Sequence, residues 1–426
     1  MPGVDPRALE AKYRLLLQIS QQMSRTLDLQ ELLQQLLDAV QSAVRYDAAG
    51  IFVLNRSVLL ARAADGNVIA GMATRGFPPR PSTEDPMLRS GKGIIGHVIR
   101  TGTMVIAPDV LLNEHYVEGR ATTRSEVAVP IVSGGEVIGA LNLESDHLDA
   151  YGPADAELLE FFALAAASAI DKALLHRHVL ERQRIEYQLR IARDVQSSLL
   201  PGGSPAVPGY DLAGINLPTW EIGGDYFDYL PLADGLLGVV IADVSGKGIG
   251  AALLMATFRA ALRAGLLGER DVGRVVERVD QVLRDSMDAS RFVTAVYGAL
   301  HPASGRFSYV NCGHNPPMLL RAGGGREALG AGGPAFGMLG NRRAEPGSVT
   351  LNPGDALVFY TDGVVELTDG AMEEYGAHRL EQVVRAHLSR RAKEIVDRIV
   401  DETRTYSGRE GYDDDFTLVL VKREPA

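Results

Sequence analysis

Three apolar runs in this chain begin or end on a carboxylate. Leu236-Leu237-Gly238-Val239-Val240-Ile241-Ala242 leads into Asp243, and Ala356-Leu357-Val358-Phe359-Tyr360-Thr361 leads into Asp362-Gly363. Near the C-terminus, Asp413-Asp414-Asp415 opens onto Phe416-Thr417-Leu418-Val419-Leu420-Val421. Runs of this length and composition read as buried strands. A strand that is apolar along its length places a terminal charge at the sheet edge. A fourth acidic position, Asp225, follows Gly223-Gly224 in the stretch Glu221 to Asp228. The glycines let backbone or ligand come close and permit positive φ. Asp and Gly also dominate ordinary turns, so any one of these sites reads equally well as a turn. Four acidic strand-end sites are more than turn chemistry requires. Brought together they would repel one another unless cations sat among them. Oxygen donors of this kind suit hard cations such as Mg²⁺ or Mn²⁺. Together they read as a two-metal site.

The order of motifs extends this pattern. Gly-Gly-Asp225-Tyr-Phe-Asp is followed by Ala-Asp243-Val-Ser-Gly-Lys-Gly, Phe292-Val293-Thr294 and Cys312-Gly313-His314-Asn315-Pro316-Pro317. Pro353-Gly354-Asp355, Tyr360-Thr361-Asp362-Gly363 and Asp414-Asp415-Phe416-Thr417 complete the series. Over roughly residues 205–423 this resembles the SpoIIE-type bacterial branch of the metal-dependent type 2C (PPM) serine/threonine protein phosphatases. The resemblance implies an α-β-β-α sandwich. It places metal ligands on Asp225, Asp243, Asp362 and Asp414, with the backbone carbonyl of Val244 joining them. It implies two Mn²⁺ or Mg²⁺ ions and hydrolysis of phosphoserine or phosphothreonine by water, with no covalent phospho-enzyme. The implied partner is a phosphorylated STAS-type anti-sigma-factor antagonist. Eukaryotic relatives add an early phosphate-holding arginine, and no match for it precedes Asp225. The competing expectation from another functional class is a catalytically silent scaffold adaptor, against which four intact aspartates weigh.

Other phosphatase chemistries fail on spacing. A thiolate mechanism needs Cys-x₅-Arg, but the residue six after Cys312 is Met318. Asp413-x-Asp415-x-Thr417 has the form of a dehalogenase-type signature but lies at the wrong end of the chain. There is no Gly-x-x-x-x-Gly-Lys-Ser/Thr, hence no Walker-type ATP site. His314 reads as a loop-stabilising residue or a general acid, and Lys247 as loop chemistry beside the metals.

Ahead of this region, Tyr13, Leu16, Ile19 and Met23 fall on one helical face. Asp28 then reads as the N-cap of a second helix running to Val44. Strands are expected at Ala48–Leu54, Val58–Ala63, Met104–Ala107, Ser125–Val132 and Val137–Leu143, with Gly134-Gly135 as a hairpin turn. This layout resembles a GAF domain over about residues 10–170. GAF domains are sensory modules, some of which bind a small ligand. Gly91-Lys92-Gly93-Ile94-Ile95-Gly96 has no strand before it, so the dinucleotide-binding context fails. His97 reads as structural. The single cysteine, Cys312, lies elsewhere, so a thioether-linked bilin is excluded here. The module is expected to carry an unidentified small ligand or none.

Residues 158–200 read as helix, and a heptad frame runs through Leu175, Ile185, Leu189, Ala192 and Leu199. His178, Arg182 and Gln196 fall in the same seam, so a coiled coil built on it would be imperfect. A single solvated surface helix is the alternative. Pro201-Gly202-Gly203 ends the helix. The expected organisation is α+β: a GAF domain over 1–165, a helical linker over 166–203 and a phosphatase domain over 204–426, associating as a homodimer. In the last domain the glycine-rich segment 323–340 is expected to be a loop, with helices at about 249–266, 272–288, 377–388 and 392–405.

Composition supports a globular protein, with 46% hydrophobic and 23% charged residues. The net charge of −11 argues against nucleic acid and anionic membrane surfaces as partners. One cysteine removes any internal disulfide framework and suits a reducing, cytoplasmic setting. No signal peptide and no apolar run near membrane-spanning length stand out. The sequon Asn55-Arg56-Ser57 is then a chance match.

Overall fold

The computed structural model describes residues 26–54, 69–77, 92–287, 291–338, 345–409 and 411–425. The expected helix around Tyr13, the strand Val58–Ala63 and Gly91 of the glycine motif lie outside these residues. The contacts divide the chain into two units, Met1–Arg184 and Ile185–Ala426, each described by itself.

In the first unit, α1 (Leu29–Ala43) starts where Asp28 accepts a hydrogen bond from the Glu31 N–H at 2.8 Å. This satisfies one of the open N–H groups of the first turn. Leu29, Leu32, Leu33, Leu36, Leu37 and Val40 recur at helical spacing and are all buried. The strands β1 (Ala48–Leu54) and β2 (Ile69–Arg75), the helix α2 (Gly93–Thr101), then β3 (Val105–Ala107), β4 (Ser125–Ser133) and β5 (Glu136–Ser145) follow. They form one antiparallel sheet in the order β2-β1-β5-β4-β3. Gly134 and Gly135 both take positive φ between β4 and β5, as a two-residue hairpin turn demands. The long helix α3 (Pro153–Leu199) closes the unit and continues into the next. Alternation along the strands sorts their side chains to two faces. Val127, Val129, Leu141 and Leu143 meet α1 and the start of α3, while Ala128 and Ala140 meet Ile94 and Val98 of α2.

Two expectations change here. Strand β2 did not stand out, because Ile-Ala-Gly-Met-Ala-Thr-Arg is short-chained and sits at the sheet edge. Ala166, Ala167, Ile170 and Ala173, expected in the linker, are buried in this core. Further along α3, Leu175, Val179, Leu180, Ile185, Tyr187, Ile191 and Val195 are exposed. No described helix is long and apolar enough to cross a membrane.

The second unit runs β6 (Tyr210–Leu217), β7 (Tyr226–Pro231), β8 (Leu237–Val244), α4 (Ile249–Gly265), α5 (Val272–Arg284), β9 (Val293–His301) and β10 (Arg306–Cys312). It continues with β11 (Met318–Leu320), β12 (Arg326–Ala328), β13 (Gly332–Gly333), β14 (Gly347–Thr350), β15 (Ala356–Tyr360), α6 (Asp362–Val365), α7 (Gly376–Ala386), α8 (Ala392–Ser407) and β16 (Phe416–Arg423). One sheet has the order β13-β10-β9-β8-β7, with β14 also on β10, and the other has β12-β11-β15-β16-β6. Phe227, Ile241 and Phe307 of the first sheet meet Phe359, Val419 and Val421 of the second. Met255 and Phe258 of α4 and Val276 and Val279 of α5 cover the outer face of the first sheet. Leu380 of α7 and Ile395, Val396 and Ile399 of α8 cover the second. The result is a four-layer α-β-β-α sandwich. The segment 323–340, expected as a loop, contributes β12 and β13, because Arg326–Ala328 pairs with β11 and Gly332–Gly333 pairs with β10.

One buried cluster in the first unit sets a pH dependence. Glu126 and Glu144 are register partners on β4 and β5, and the Asn142 Nδ2 donates to Glu126 at 3.1 Å and to Glu144 at 3.4 Å. Burial, followed by the charge of Glu144, pushes the Glu126 carboxyl up to about 8. The folded unit therefore keeps a proton that the unfolded chain releases near the ordinary glutamate value. This stabilisation is complete below about pH 4.5 and is lost as pH rises through about 8. The expected outcome in thermal unfolding is a midpoint for this unit that falls between pH 5 and pH 8, with the fall largely removed in Glu126→Gln. An equal pH slope in both proteins would contradict it.

Candidate metal centre

The strand register brings the acidic positions together. In the β7–β8 pair Tyr226 faces Ala242, so Asp225, one residue before β7, comes level with Asp243 at the end of β8. In the other sheet Tyr360 faces Leu418 across β15 and β16, so Asp362 and the run Asp413 to Asp415 leave the same end of that pair. Face-to-face packing of the sheets then closes the group.

Asp225 is 3% exposed, and its Oδ2 accepts hydrogen bonds from the Thr361 hydroxyl at 2.8 Å and the Thr417 hydroxyl at 2.6 Å. Both threonines belong to the facing sheet's strand ends, so these bonds span the sandwich. Burial, with the neighbouring Asp243 charge next, holds the Asp225 carboxyl well above the usual range. Burial, then Asp362 and Asp414, pushes Asp243 up to about 7. Asp362 is also raised, by burial and then by Asp414. These carboxylates lack a balancing positive charge: burial raises each of them first, and neighbouring carboxylates add to it.

Asp414 differs from its neighbours. Its side chain is half exposed and lies 3.1 Å from the Lys247 Nζ, which also donates to the Asp413 carbonyl at 2.9 Å. The Asp415 carboxylate accepts from the Thr219 N–H at 2.8 Å and the Gly224 N–H at 2.6 Å. It thus holds the loop before Asp225. Asp413 pairs with Arg409 at 2.6 Å. Of the three consecutive aspartates, Asp414 raises both Asp243 and Asp362, while the Asp415 charge acts on Asp243 and Asp225.

Close approach explains the glycines. A Cβ on Gly224 would lie 2.8 Å from the Val244 carbonyl oxygen, and one on Gly363 would lie 2.1 Å from the Asp415 carbonyl oxygen. Val244 itself is buried at the end of β8. Among the described residues, no three carboxylate, imidazole or thiolate groups converge tightly enough to hold a cation as they stand. The donor set still suits a hard cation, since it is all oxygen, partly buried and short of positive charge.

His314 is buried, with its Nδ1 2.8 Å from the Thr294 hydroxyl and its N–H donating to Asn311 Oδ1 at 2.8 Å. Burial holds its ring down to about 4, so it is neutral near pH 7 and acts as loop structure rather than as a cationic acid. Cys312 is buried in the core beneath it. The roles of Thr361, Thr417 and Asp415 did not emerge from sequence, although all three stand inside the quoted motifs.

Comparison with known proteins agrees with this geometry. Residues 233–424 match the family model for stage II sporulation protein E (SpoIIE), and residues 26–171 match that for a GAF domain. Protein IcfG of Synechocystis sp. is 30% identical over 264 residues, covering 55% of this chain and 41% of that protein. Phosphoserine phosphatase RsbU of Bacillus subtilis is 31% identical over 137 residues, covering 32% of this chain and 40% of that protein. The chain thus spans about two fifths of the length of these curated relatives. The SiaA-PP2C domain of Pseudomonas aeruginosa superposes with a TM-score of 0.51 at 22% identity, covering 57% of this chain and 98% of that domain. The chain is thus similar to a GAF domain over residues 26–171 and to the SpoIIE family over residues 233–424, and its second unit has the PP2C-type fold.

Proposed function

We propose that this chain is a metal-dependent phosphoserine and phosphothreonine protein phosphatase whose output is set by its GAF domain. The observation that carries the proposal is that the strand ends bring Asp225, Asp243, Asp362 and Asp414 to one end of the sandwich, the first three held above their ordinary range by burial and then by neighbouring carboxylates. Asp225, Asp243, Asp362, Asp414 and the Val244 carbonyl would hold two Mn²⁺ or Mg²⁺ ions. Bound ions would supply Lewis acidity and offset charge on the phosphoryl oxygens. The reaction is hydrolysis: a water oxygen bonds to phosphorus, the seryl or threonyl oxygen leaves, and no side chain is phosphorylated. Thr361 and Thr417 fix the orientation of Asp225. Lys247 brings a positive charge to an otherwise acidic mouth.

The relatives named phosphoserine phosphatase RsbU and RsbP support the phosphoserine side of this proposal. The substrate we propose is a phosphorylated STAS-domain anti-sigma-factor antagonist in a bacterial partner-switching circuit. The exposed apolar side chains of α3, among them Leu175, Ile185 and Val195, support a homodimer joined along that helix. The domain limits that go with this proposal are 1–165 for the GAF module, 166–203 for the helical linker, whose residues Ala166, Ala167, Ile170 and Ala173 pack into the first unit's core, and 204–426 for the phosphatase. The competing function is a silent adaptor.

The deciding assay offers phosphorylated STAS proteins to the full chain with Mn²⁺. Phosphate release that disappears on thorough chelation and returns with Mn²⁺ is the expected outcome, and no release under any metal would favour the adaptor. Asp243→Asn and Asp362→Asn are each expected to lower turnover at least about a hundredfold while raising the metal-free unfolding midpoint, since one repelling charge is gone. Retained turnover in either variant at saturating metal would remove that residue from the ligand set. Thr417→Val strips Asp225 of a hydroxyl donor in a dry site, and its turnover is expected to fall roughly tenfold to a hundredfold. Steady-state kinetics on the folded variant checks this, and an unchanged rate would make the Thr417 bond purely structural.

A further inference from the structure

Gln196 stands in the last turn of α3, and its carboxamide pairs with both backbone groups of Gly223. The Gln196 Nε2 donates to the Gly223 carbonyl at 2.7 Å, and the Gly223 N–H donates to the Gln196 Oε1 at 3.1 Å. Gly223 lies two residues before Asp225. The heptad frame put Gln196 in a helix–helix seam, whereas its side chain is committed to this loop and half-buried there. We infer that Gln196 is a positioning residue for the metal centre, coupling the site's affinity for cations to the last turn of the helix that comes from the GAF domain. This rests on the metal-dependent function proposed above.

The loop needs an external clamp because it cannot stiffen itself. A Cβ on Gly223 would lie 2.4 Å from the Asp415 Oδ2, and one on Gly224 would lie 2.8 Å from the Val244 carbonyl oxygen. Both positions are therefore restricted to glycine, the residue with most freedom to lose on ordering. Asp415 anchors the Thr219 and Gly224 N–H groups, but a carboxylate is an acceptor and cannot serve the Gly223 carbonyl. An amide side chain offers a donor and an acceptor side by side, which is what one glycine's N–H and carbonyl require. The clamp is itself held. Leu199 and Leu200, just beyond Gln196, pack on the core shared by α4, α5, Val240 and Val244. Loosening that turn would release the Gly223-Gly224 backbone, and with it the placement of Asp225 and the packing against the Val244 carbonyl.

The test uses the full-length chain as wild type, Gln196→Ala, Gln196→Asn and the exposed control Ser197→Ala. Mn²⁺ binding is read without substrate from the free Mn²⁺ signal in electron paramagnetic resonance. Amide exchange of the 219–227 peptide is read without metal, and turnover is titrated with Mn²⁺. Gln196→Ala is expected to bind Mn²⁺ roughly tenfold more weakly and to exchange its loop amides faster. Its turnover at saturating Mn²⁺ should stay within about twofold of wild type, the sign of a residue acting through the metal site. Gln196→Asn keeps the amide but is a methylene too short, so it should fall in the same direction, while Ser197→Ala should match wild type. An unchanged Mn²⁺ constant in Gln196→Ala overturns the inference, as does a loss of turnover that saturating Mn²⁺ leaves in place. Failure of the wild-type chain to bind Mn²⁺ at all is a separate outcome, and it overturns the metal-dependent function together with this inference.

Discussion

Like charge forced together at the joined ends of two sheets is the constraint on which the C-terminal unit turns. Asp225 and Asp243 come from β7 and β8 of one sheet, and Asp362 and Asp414 from the ends of β15 and β16 in the other. Neither sheet alone assembles the group, so the apolar contact of Phe227, Ile241 and Phe307 with Phe359 and Val419 is also what builds the site. Burial raises the cost of each charge, and two threonine hydroxyls on Asp225 offset only part of it. The remaining imbalance is what the proposed cations would offset.

Much of this arrangement was legible in the sequence because strand ends are local features. An apolar run and the aspartate beside it are contiguous, and the antiparallel register then follows from the alternation of the strands. The α-β-β-α layers follow too, since helices Ile249–Gly265 and Ala392–Ser407 announce themselves by period and length. What escaped was carried by contacts far apart in sequence. Asp415 reaches Gly224 across 191 positions, and Thr417 reaches Asp225 across 192. No local pattern distinguishes a threonine that points at a carboxylate from one that fills a strand. Gln196 misled for a related reason: heptad spacing describes which face a residue occupies but not what meets that face. The segment 323–340 misled in the opposite way, because its glycines suggested a loop while its backbone pairs with β11 and β10.

The glycines flanking the aspartates have a consequence for control. Gly223 and Gly224 are required by the approach of Asp415 and Val244, and the same absence of side chains leaves that backbone soft. A centre that must bring its ligands close cannot also stiffen their loop from within. Rigidity has to come from elements outside the loop, here Asp415 from the start of β16 and Gln196 from α3. Steric economy at the site thus makes its geometry dependent on a helix that also belongs to another unit.

The two units meet the same electrostatic problem differently. Glu126 and Glu144 sit level on adjacent strands within the first sheet, bridged by Asn142, and Glu126 settles the repulsion by holding a proton up to about 8. Both side chains are buried, at 4% and 6% exposure. Asp225 precedes β7, Asp243 is the penultimate residue of β8 and Asp362 follows β15, beside glycine turns and a half-exposed Asp414. A strand end frees a carbonyl, admits solvent and leaves room for a cation's remaining waters. Access to solvent, more than the number of acids, therefore separates a cluster that is satisfied by a proton from one that is suited to metal.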